Sequence, residues 1–417
     1  MRSTSLDEQV GLLLQGTEYG DESLRRAMAS ELRQRLDEAA RVPRPLRVYC
    51  GFDPRTADLH LGHTVPMRKM RQFQELGHDV MFVIGRFTSM IGDPSDQDRL
   101  RPQLTPEQAT VNAESYAEQA FRILDPARTR IEFNDTWLSQ ISLAEWTRLS
   151  SNFTIQQFLT REAFRKRWDA GDPVYLHEFF YAVMQAYDAY HLKTDVQIGG
   201  SDQLFNIVTA GRKLMEALGE RPNIGVILGI LPGTDGVQKM SKSLGNHIPL
   251  NTSPADMFGK VMSVPDPAMG SFFRLVTRWT PGEIAGLEAD VKDGRQHPRD
   301  AKLRLAKEIV AIYFGDDPAE AAESEFRRVF QDRGEPENVE EIVVKSGWTL
   351  VDILASSPSL AGSRSEARRL IQQGAVRRGD EILKDPAFVM EFTKPVVLQV
   401  GRYRAARLIP PGTSPEA

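Results

Sequence analysis

Apolar residues recur at helical spacing among charged ones between residues 5 and 41, with Leu12, Leu13, Leu14, Leu24, Met28, Leu32 and Leu36 on the repeating positions. Pro43 and Pro45 end that pattern. The run Leu46 to Cys50 is β-rich and opens into Gly51-Phe52-Asp53-Pro54, a loop signature. A helix is predicted from about Gly62 to Leu76, stopped by Gly77, and Asp79 to Gly85 is then a short apolar strand of the kind buried in parallel sheets. Together these make one βαβ unit. A further apolar run, Ile224 to Leu231, with helical patterns before it, extends the prediction to an α/β fold built on a Rossmann-like, doubly wound parallel sheet. From about 253 to 335 the pattern is helical and charged, Pro298 to Phe314 included. After a polar stretch at 334–338, short helical and strand patterns alternate from 348 to 410. The expected divisions are 1–45, a helical segment; 46–250, the sheet domain; 251–335, an α-helical domain; 336–347, a linker; and 348–410, a small α+β domain.

With 417 residues, 41% of them apolar, the chain has material for two or three cores. No run of about 18 uncharged apolar residues occurs, and the first residues lack the apolar segment of a signal peptide, so the expectation is a cytoplasmic protein with no membrane span. Cys50 is the only cysteine, which excludes intrachain disulfides and leaves a zinc site only seven scattered histidines and the carboxylates; no structural metal is expected. The net charge of -5 argues against a protein that coats nucleic acid uniformly, yet residues 348–417 carry ten basic and seven acidic residues, a net +3. The basic part is the tail.

Two motifs carry chemistry. His60-Leu61-Gly62-His63 lies where a strand loop enters a helix, a place where backbone N–H groups and the helix dipole favour phosphate and two imidazoles add donors. Gly62 would let a nucleotide approach the backbone closely. Two capping or surface histidines are the plainer reading of the tetrapeptide alone. Lys239-Met240-Ser241-Lys242-Ser243 follows the Gly-rich Gly233-Thr234-Asp235-Gly236, so two ammonium groups sit on a loop suited to a triphosphate; a solvated basic loop is the plainer reading there. Both motifs in this order favour ATP chemistry. Between them, Tyr181, Gln185 and Asp188 fall at i, i+4 and i+7, giving a helix a polar face where a core face belongs. Such a stripe is costly unless something pairs with it, and either a ligand with an amino group and a phenol or neighbouring side chains would do so.

The two motifs resemble those of the class I aminoacyl-tRNA synthetases. With Tyr49 to Pro54, Ile91-Gly92-Asp93-Pro94-Ser95 and Gln197 to Gln203, the chain from about 46 to 410 resembles the bacterial tyrosyl-tRNA synthetases. That resemblance implies activation of L-tyrosine by ATP to tyrosyl-adenylate and transfer to the 3′ end of tRNA(Tyr), with Mg²⁺ accompanying ATP, and a homodimer whose interface lies in a region inserted in the catalytic domain. It implies that His60, His63, Lys239 and Lys242 act on the phosphates, with Gly62 and Ser243 beside them. Gly200 and Asp202 would form the nucleotide wall, Asp202 accepting from the ribose. Asp188 and Tyr49 would hold the phenol, Tyr181, Gln185 and Asp93 the amino group with Thr88 assisting, and Gln203 would lie near the carboxylate. Asp53 reads equally as a ligand-facing carboxylate and as a turn former before proline. A site that hydrogen-bonds a hydroxyl rejects the analogue lacking it by roughly 10⁴ to 10⁵, a range whose source is itself a tyrosyl-tRNA synthetase against phenylalanine, so no editing domain is expected.

Residues 348–410 resemble the S4-type RNA-binding domain, with Arg364, Arg368 and Arg369 on a short helix able to face one phosphate backbone, and Arg377, Arg378, Arg402 and Arg404 extending the basic surface. A solvated helix face is the alternative. By the same resemblance the helical domain before it would read the anticodon. Asp96-Gln97 stand where the family has glycine and a basic residue, with Arg99 and Arg101 a few positions on. Two rival readings share the fold, a tryptophanyl enzyme and an RNA-binding protein that has lost catalysis. Tyr49 with Asp188 speaks against the first, the intact motifs against the second.

Overall fold

The computed structural model describes residues 5–54, 58–95, 106–330, 340–379, 381–401 and 404–410. It divides into two compact units, Met1–Thr252 with Lys260–Asp316, and Ser253–Gly259 with Asp317–Ala417.

The first unit is built on five strands, β1 (Arg47–Phe52), β2 (Asp79–Ile84), β3 (Thr129–Phe133), β4 (Val196–Gly200) and β5 (Ile224–Leu228), in the order β3-β2-β1-β4-β5. Every pairing is parallel, with Tyr49 opposite both Met81 and Gln197. β5 is buried along its whole length and β2 in all but its first residue, as apolar runs covered on both faces should be. The strand order reverses between β1 and β4, which opens a crevice at their carboxyl ends.

At the N-terminus α1 (Leu6–Leu14) starts from a Ser5–Glu8 capping box and α2 (Glu22–Arg41) from Asp21. The turn after α1 covers the β5 edge: Glu18 N–H donates to Ile227 O at 2.7 Å and Gly229 N–H to Gly16 O at 2.9 Å. The helix predicted after the histidine motif begins as a single 3₁₀ turn, Leu61–His63, and continues as α3 (Thr64–Glu75). Pro66 is its third residue, where the missing N–H has no intrahelical role.

Two expected divisions change. The helical segment 251–335 is divided, with residues 253–259 and 317–330 in the second unit: Met269–Val276, Pro281–Lys292 and Pro298–Phe314 belong to the first unit. Their apolar faces, with Phe272, Val276, Leu305 and Ile309 buried, need a partner surface and find it in the sheet unit, where Tyr313 Oη donates to Thr64 Oγ1 at 2.9 Å and Gln15 Nε2 to Trp279 O at 3.2 Å. Nor is 336–347 linker throughout. Its first residues lie outside those described, but β6 (Glu340–Val343) pairs in parallel with β10 (Arg404–Ile409), because Ile342 has an apolar core to enter.

In the second unit the strands follow the order β6-β10-β9-β7-β8, with β7 at Val376–Arg378, β8 at Glu381–Ile382 and β9 at Val396–Val400. Leu350–Ala355 and the basic helix Arg364–Gln372 pack on this sheet through Leu350, Ile353, Leu354, Leu370 and Ile371. Among the described residues no helix is long and apolar enough to cross a membrane.

Candidate active site

A cavity of about 870 Å³ occupies the crevice at the carboxyl ends of the first sheet, within the range of small-molecule sites. All the residues expected at the phosphate, ribose and amino-acid ends line it, and so does Asp53. A second cavity, of about 740 Å³, lies between the N-terminal turn and the helices after residue 269; its Arg274 and Glu288 pair with each other at 2.5 Å, and none of the motif residues reaches it.

The two motifs meet because backbone joins them. Leu61 N–H donates to Ile248 O at 2.8 Å and Leu250 N–H to Leu59 O at 3.0 Å, so the segment after the lysine loop runs beside the histidines. His60 Nδ1 accepts from Gly62 N–H and His63 Nδ1 from His60 N–H, both at 3.2 Å. Each ring thereby has its proton on Nε2 and is a neutral donor. Burial first, and then the neighbouring His63, His247, Lys242 and Lys239, push His60 down to about 2; burial and the two lysines push His63 down to about 4. A methyl group at Gly62 would stand 3.1 Å from the His60 ring, so the imidazole would have to give by a few tenths of an ångström to admit it.

The lysine loop is braced on Asn246, which is buried. Its Oδ1 accepts from Ser241 N–H at 2.8 Å, and its Nδ2 donates to Asp235 and to Lys239 O. Met240 is buried beneath the loop while Lys239 is exposed and Lys242 half-buried. Lys239 lies 3.5 Å from Asp202 and Lys242 3.1 Å from Asp58. At Gly200 a Cβ would come within 2.5 Å of Asp202 Oδ1, so glycine gives this carboxylate its place.

At the other end of the cavity α4 (Leu176–His191) presents its polar face. Asp188, 2% exposed, accepts from Trp137 Nε1 at 2.7 Å and Asn134 Nδ2 at 3.2 Å, with Tyr49 a further hydrogen-bond partner. Burial outweighs these bonds and raises Asp188 to about 7. It also holds the phenols of Tyr49 and Tyr181 well above their ordinary range. Tyr181 Oη donates to Asp53 Oδ2 at 3.1 Å and Thr88 Oγ1 to Asp53 Oδ1 at 2.8 Å, so Asp53 is a wall of the cavity as well as a residue before proline. Asp93 accepts from Ser95 N–H at 2.9 Å and from Gln203 Nε2 at 2.6 Å. Asn206, at 0% exposure, donates to Gln185 Oε1 at 3.0 Å and Gln203 Oε1 at 3.1 Å.

Asn134, Trp137, Asn206 and Asp58 were not singled out by the sequence. Each acts on a residue at least 21 positions away except Asn206 on Gln203, and no local pattern signals such pairing. Asp96, Gln97, Arg99, Arg101 and Arg402 lie outside the described residues. In the second unit Arg368 and Arg369 are exposed, Arg364 pairs with Asp352 at 2.6 Å and Arg404 with Glu366 at 3.1 Å. Among the described residues no group of three or more His, Cys, Asp or Glu side chains could hold a metal ion.

The family model for class I tRNA synthetases (W and Y) matches residues 42–331, and the S4 domain model matches 350–391. The tyrosine–tRNA ligase of Moorella thermoacetica is 45% identical over 390 residues, covering 92% of this chain and 94% of its own length. That of Oleidesulfovibrio alaskensis is 44% identical over 407 residues, 97% and 99% respectively. A C-terminally truncated mitochondrial tyrosyl-tRNA synthetase from Aspergillus nidulans superposes with a TM-score of 0.61 at 24% identity, covering 79% of this chain and 95% of that one. The Archaeoglobus fulgidus tyrosyl-tRNA synthetase complexed with L-tyrosine gives 0.58 at 21%, covering 76% and 100%. At those identities the superpositions speak for the fold alone.

Proposed function

The chain belongs to the class I tRNA synthetases of the tryptophan and tyrosine type, and from this we infer that it activates L-tyrosine with ATP and charges the 3′ end of tRNA(Tyr). The observation that supports this most is a single cavity with a buried carboxyl, Asp188, at one end and two neutral imidazoles with two lysines at the other.

A phenol O–H both donates and accepts, so it can donate to Asp188 while accepting from Tyr49 once that hydroxyl turns from Asp188 to the ligand; an indole N–H can only donate. Asp93, Tyr181 and Gln185 would take the amino group with Thr88 holding Asp53 beside them, and Gln203 the carboxylate side. Asp202 would exchange Lys239 for the ribose hydroxyls, with Gly200 leaving room. In the first step a tyrosine carboxylate oxygen attacks the α-phosphorus of ATP; the bond to the β-bridging oxygen breaks and pyrophosphate leaves with the electron pair. In the second, a terminal ribose hydroxyl of tRNA attacks the carbonyl, the bond from that carbon to the phosphate oxygen breaks with its electron pair going to AMP, and the hydroxyl proton is released. No protein nucleophile is required. His60 and His63 donate through Nε2–H to oxygens on which charge builds, and Lys239, Lys242 and the Ser243 hydroxyl add to that stabilisation. Mg²⁺ would arrive on the phosphates of ATP, holding them with water rather than with a protein cage.

The S4-type unit would meet the tRNA through Arg364, Arg368 and Arg369. The exposed Leu143, Ile155, Trp168 and Leu176, all between β3 and β4, are the surface through which two copies would form the homodimer. A cytoplasmic setting follows from the substrates. Pyrophosphate exchange that requires both tyrosine and ATP tests the reading; RNA binding without tyrosine-dependent exchange would defeat it.

A further inference from the structure

We propose that Arg161 is a positioning residue for the substrate's amino group, acting with Asn206 through Ser95 on Asp93. Arg161 precedes the helix Glu162–Ala170, in the segment between β3 and β4, and is only 8% exposed. Its guanidinium lies 4.9 Å from the Phe164 ring centre and 5.3 Å from that of Phe205. Nη2 donates to Ser95 Oγ at 2.6 Å, while Nη1 is buried with no hydrogen-bond partner among the described residues. No carboxylate lies within ion-pair distance of it in that set; the acidic group whose charge acts on it most is Asp93. A buried cation without a directly bonded carboxylate is costly, and aromatic faces offset only part of that cost.

What the charge secures is one hydroxyl. Ser95 Oγ receives Arg161 on one side and Asn206 Nδ2, at 3.2 Å, on the other, and Ser95 N–H in turn holds Asp93 Oδ1. Asn206 comes from Phe205–Gly211, a π-helical stretch, an irregularity found frequently at functional sites. The same Asn206 amide nitrogen, its two protons shared among three acceptors, also reaches Gln185 and Gln203, and Gln203 holds the other oxygen of Asp93. Both carboxylate oxygens are therefore fixed from behind, leaving their remaining lone pairs for an ammonium group. Arg161 is not itself among the residues lining the cavity, so it acts through Ser95. Coulomb repulsion alone would have Arg161 weaken ammonium binding. A charge-assisted hydrogen bond that fixes the receptor's geometry opposes this, and the proposal is that geometry dominates.

The proposal rests on Asp93 receiving the amine. Two inhibitors of tyrosine-dependent pyrophosphate exchange separate the ends of the substrate: tyramine, with the amine and no carboxylate, and 3-(4-hydroxyphenyl)propionate, with the carboxylate and no amine. Arg161→Met is expected to weaken tyramine and raise KM for tyrosine by roughly 10-fold or more, with KM for ATP and inhibition by the propionate within about 2-fold. Arg161→Lys, which keeps the charge and loses the fork, should recover part of the loss. Unchanged or tighter tyramine binding in Arg161→Met overturns the proposal, as does an equal loss for both inhibitors, the sign of general collapse. Should Arg161→Met fail to fold, Ser95→Ala removes only the relay hydroxyl and is judged by the same outcomes. Asp93→Asn runs in parallel: intact tyramine inhibition there defeats the pocket assignment and the proposal with it, whereas loss there and none in Arg161→Met defeats the proposal alone.

Discussion

Burial sets the protonation of Asp188, His60 and His63. Asp188 is raised to about 7, above the ordinary aspartate value of about 3.9 expected when unfolded. Between those values the folded chain binds more protons than the unfolded one, so this group's stabilisation is complete below about pH 4 and is lost as pH rises through 7. Asp188→Asn should flatten that slope: unfolding free energies from urea titrations at pH 5 and pH 8 should differ less in the variant, by an amount on the order of a few kcal/mol. His60 and His63 are pushed the other way, to about 2 and about 4, and stay neutral across the physiological range. A pH–rate profile for activation should therefore show no histidine limb near 6.5, and His63→Ala should lower kcat by about 10² to 10³ while KM for tyrosine holds. The histidines, the lysines and the stripe of Tyr181, Gln185 and Asp188 were legible in sequence because their spacing is local. Asn134, Trp137, Arg161 and Asn206 were not, since their roles exist only once strands and helices far apart in the chain are packed together.

At the scale of elements, the loop from Pro232 to Asn246 and the turn after β2 carry the least tolerance. Asn246→Ala would leave Ser241 N–H and Asp235 without a shared partner. Asp235 is exposed and keeps Val237 N–H and Gln238 N–H, so the loss falls on the placement of the half-buried Ser241 and of the lysines beside it, and kcat for pyrophosphate exchange should fall by roughly 10-fold or more with KM for tyrosine nearly constant. Gly85 closes the turn against Asp53 Oδ1 and Thr88 Oγ1, each 2.3 Å from where a Cβ would stand. Gly85→Ala should part Thr88 from Asp53 and weaken tyrosine binding, measurable by equilibrium dialysis, more than it weakens ATP binding. The βαβ unit could be read from sequence because its strands are continuous apolar runs and its helix has a clear stop. The lysine loop's support could not be: Asn246 looks like any polar loop residue until its amide is seen between Ser241 and Asp235.

For the whole molecule, the two compact units carry separable tasks in the proposed function. A chain ending near residue 335, which keeps the first unit and the helix Asp316–Phe330 and removes the S4-type sheet with its two helices, should retain tyrosine-dependent pyrophosphate exchange and lose most tRNA charging, with both assays run on the same preparation. In sequence, 251–335 looks separate because its charged helical pattern differs from the strands before it. Pattern reports local structure, however, and the partner that buries Phe272 and Ile309 is visible only in three dimensions. The lysine pairs bear on how the molecule as a whole responds to its ionic surroundings. Lys239 and Lys242 already stand against Asp202 and Asp58, so nucleotide entry trades one set of anions for another. Dissolved salt screens the contacts given up as well as those gained. KM for ATP should accordingly climb only gently between low and moderate ionic strength, and more steeply in Asp58→Asn, where one side of the trade has been removed.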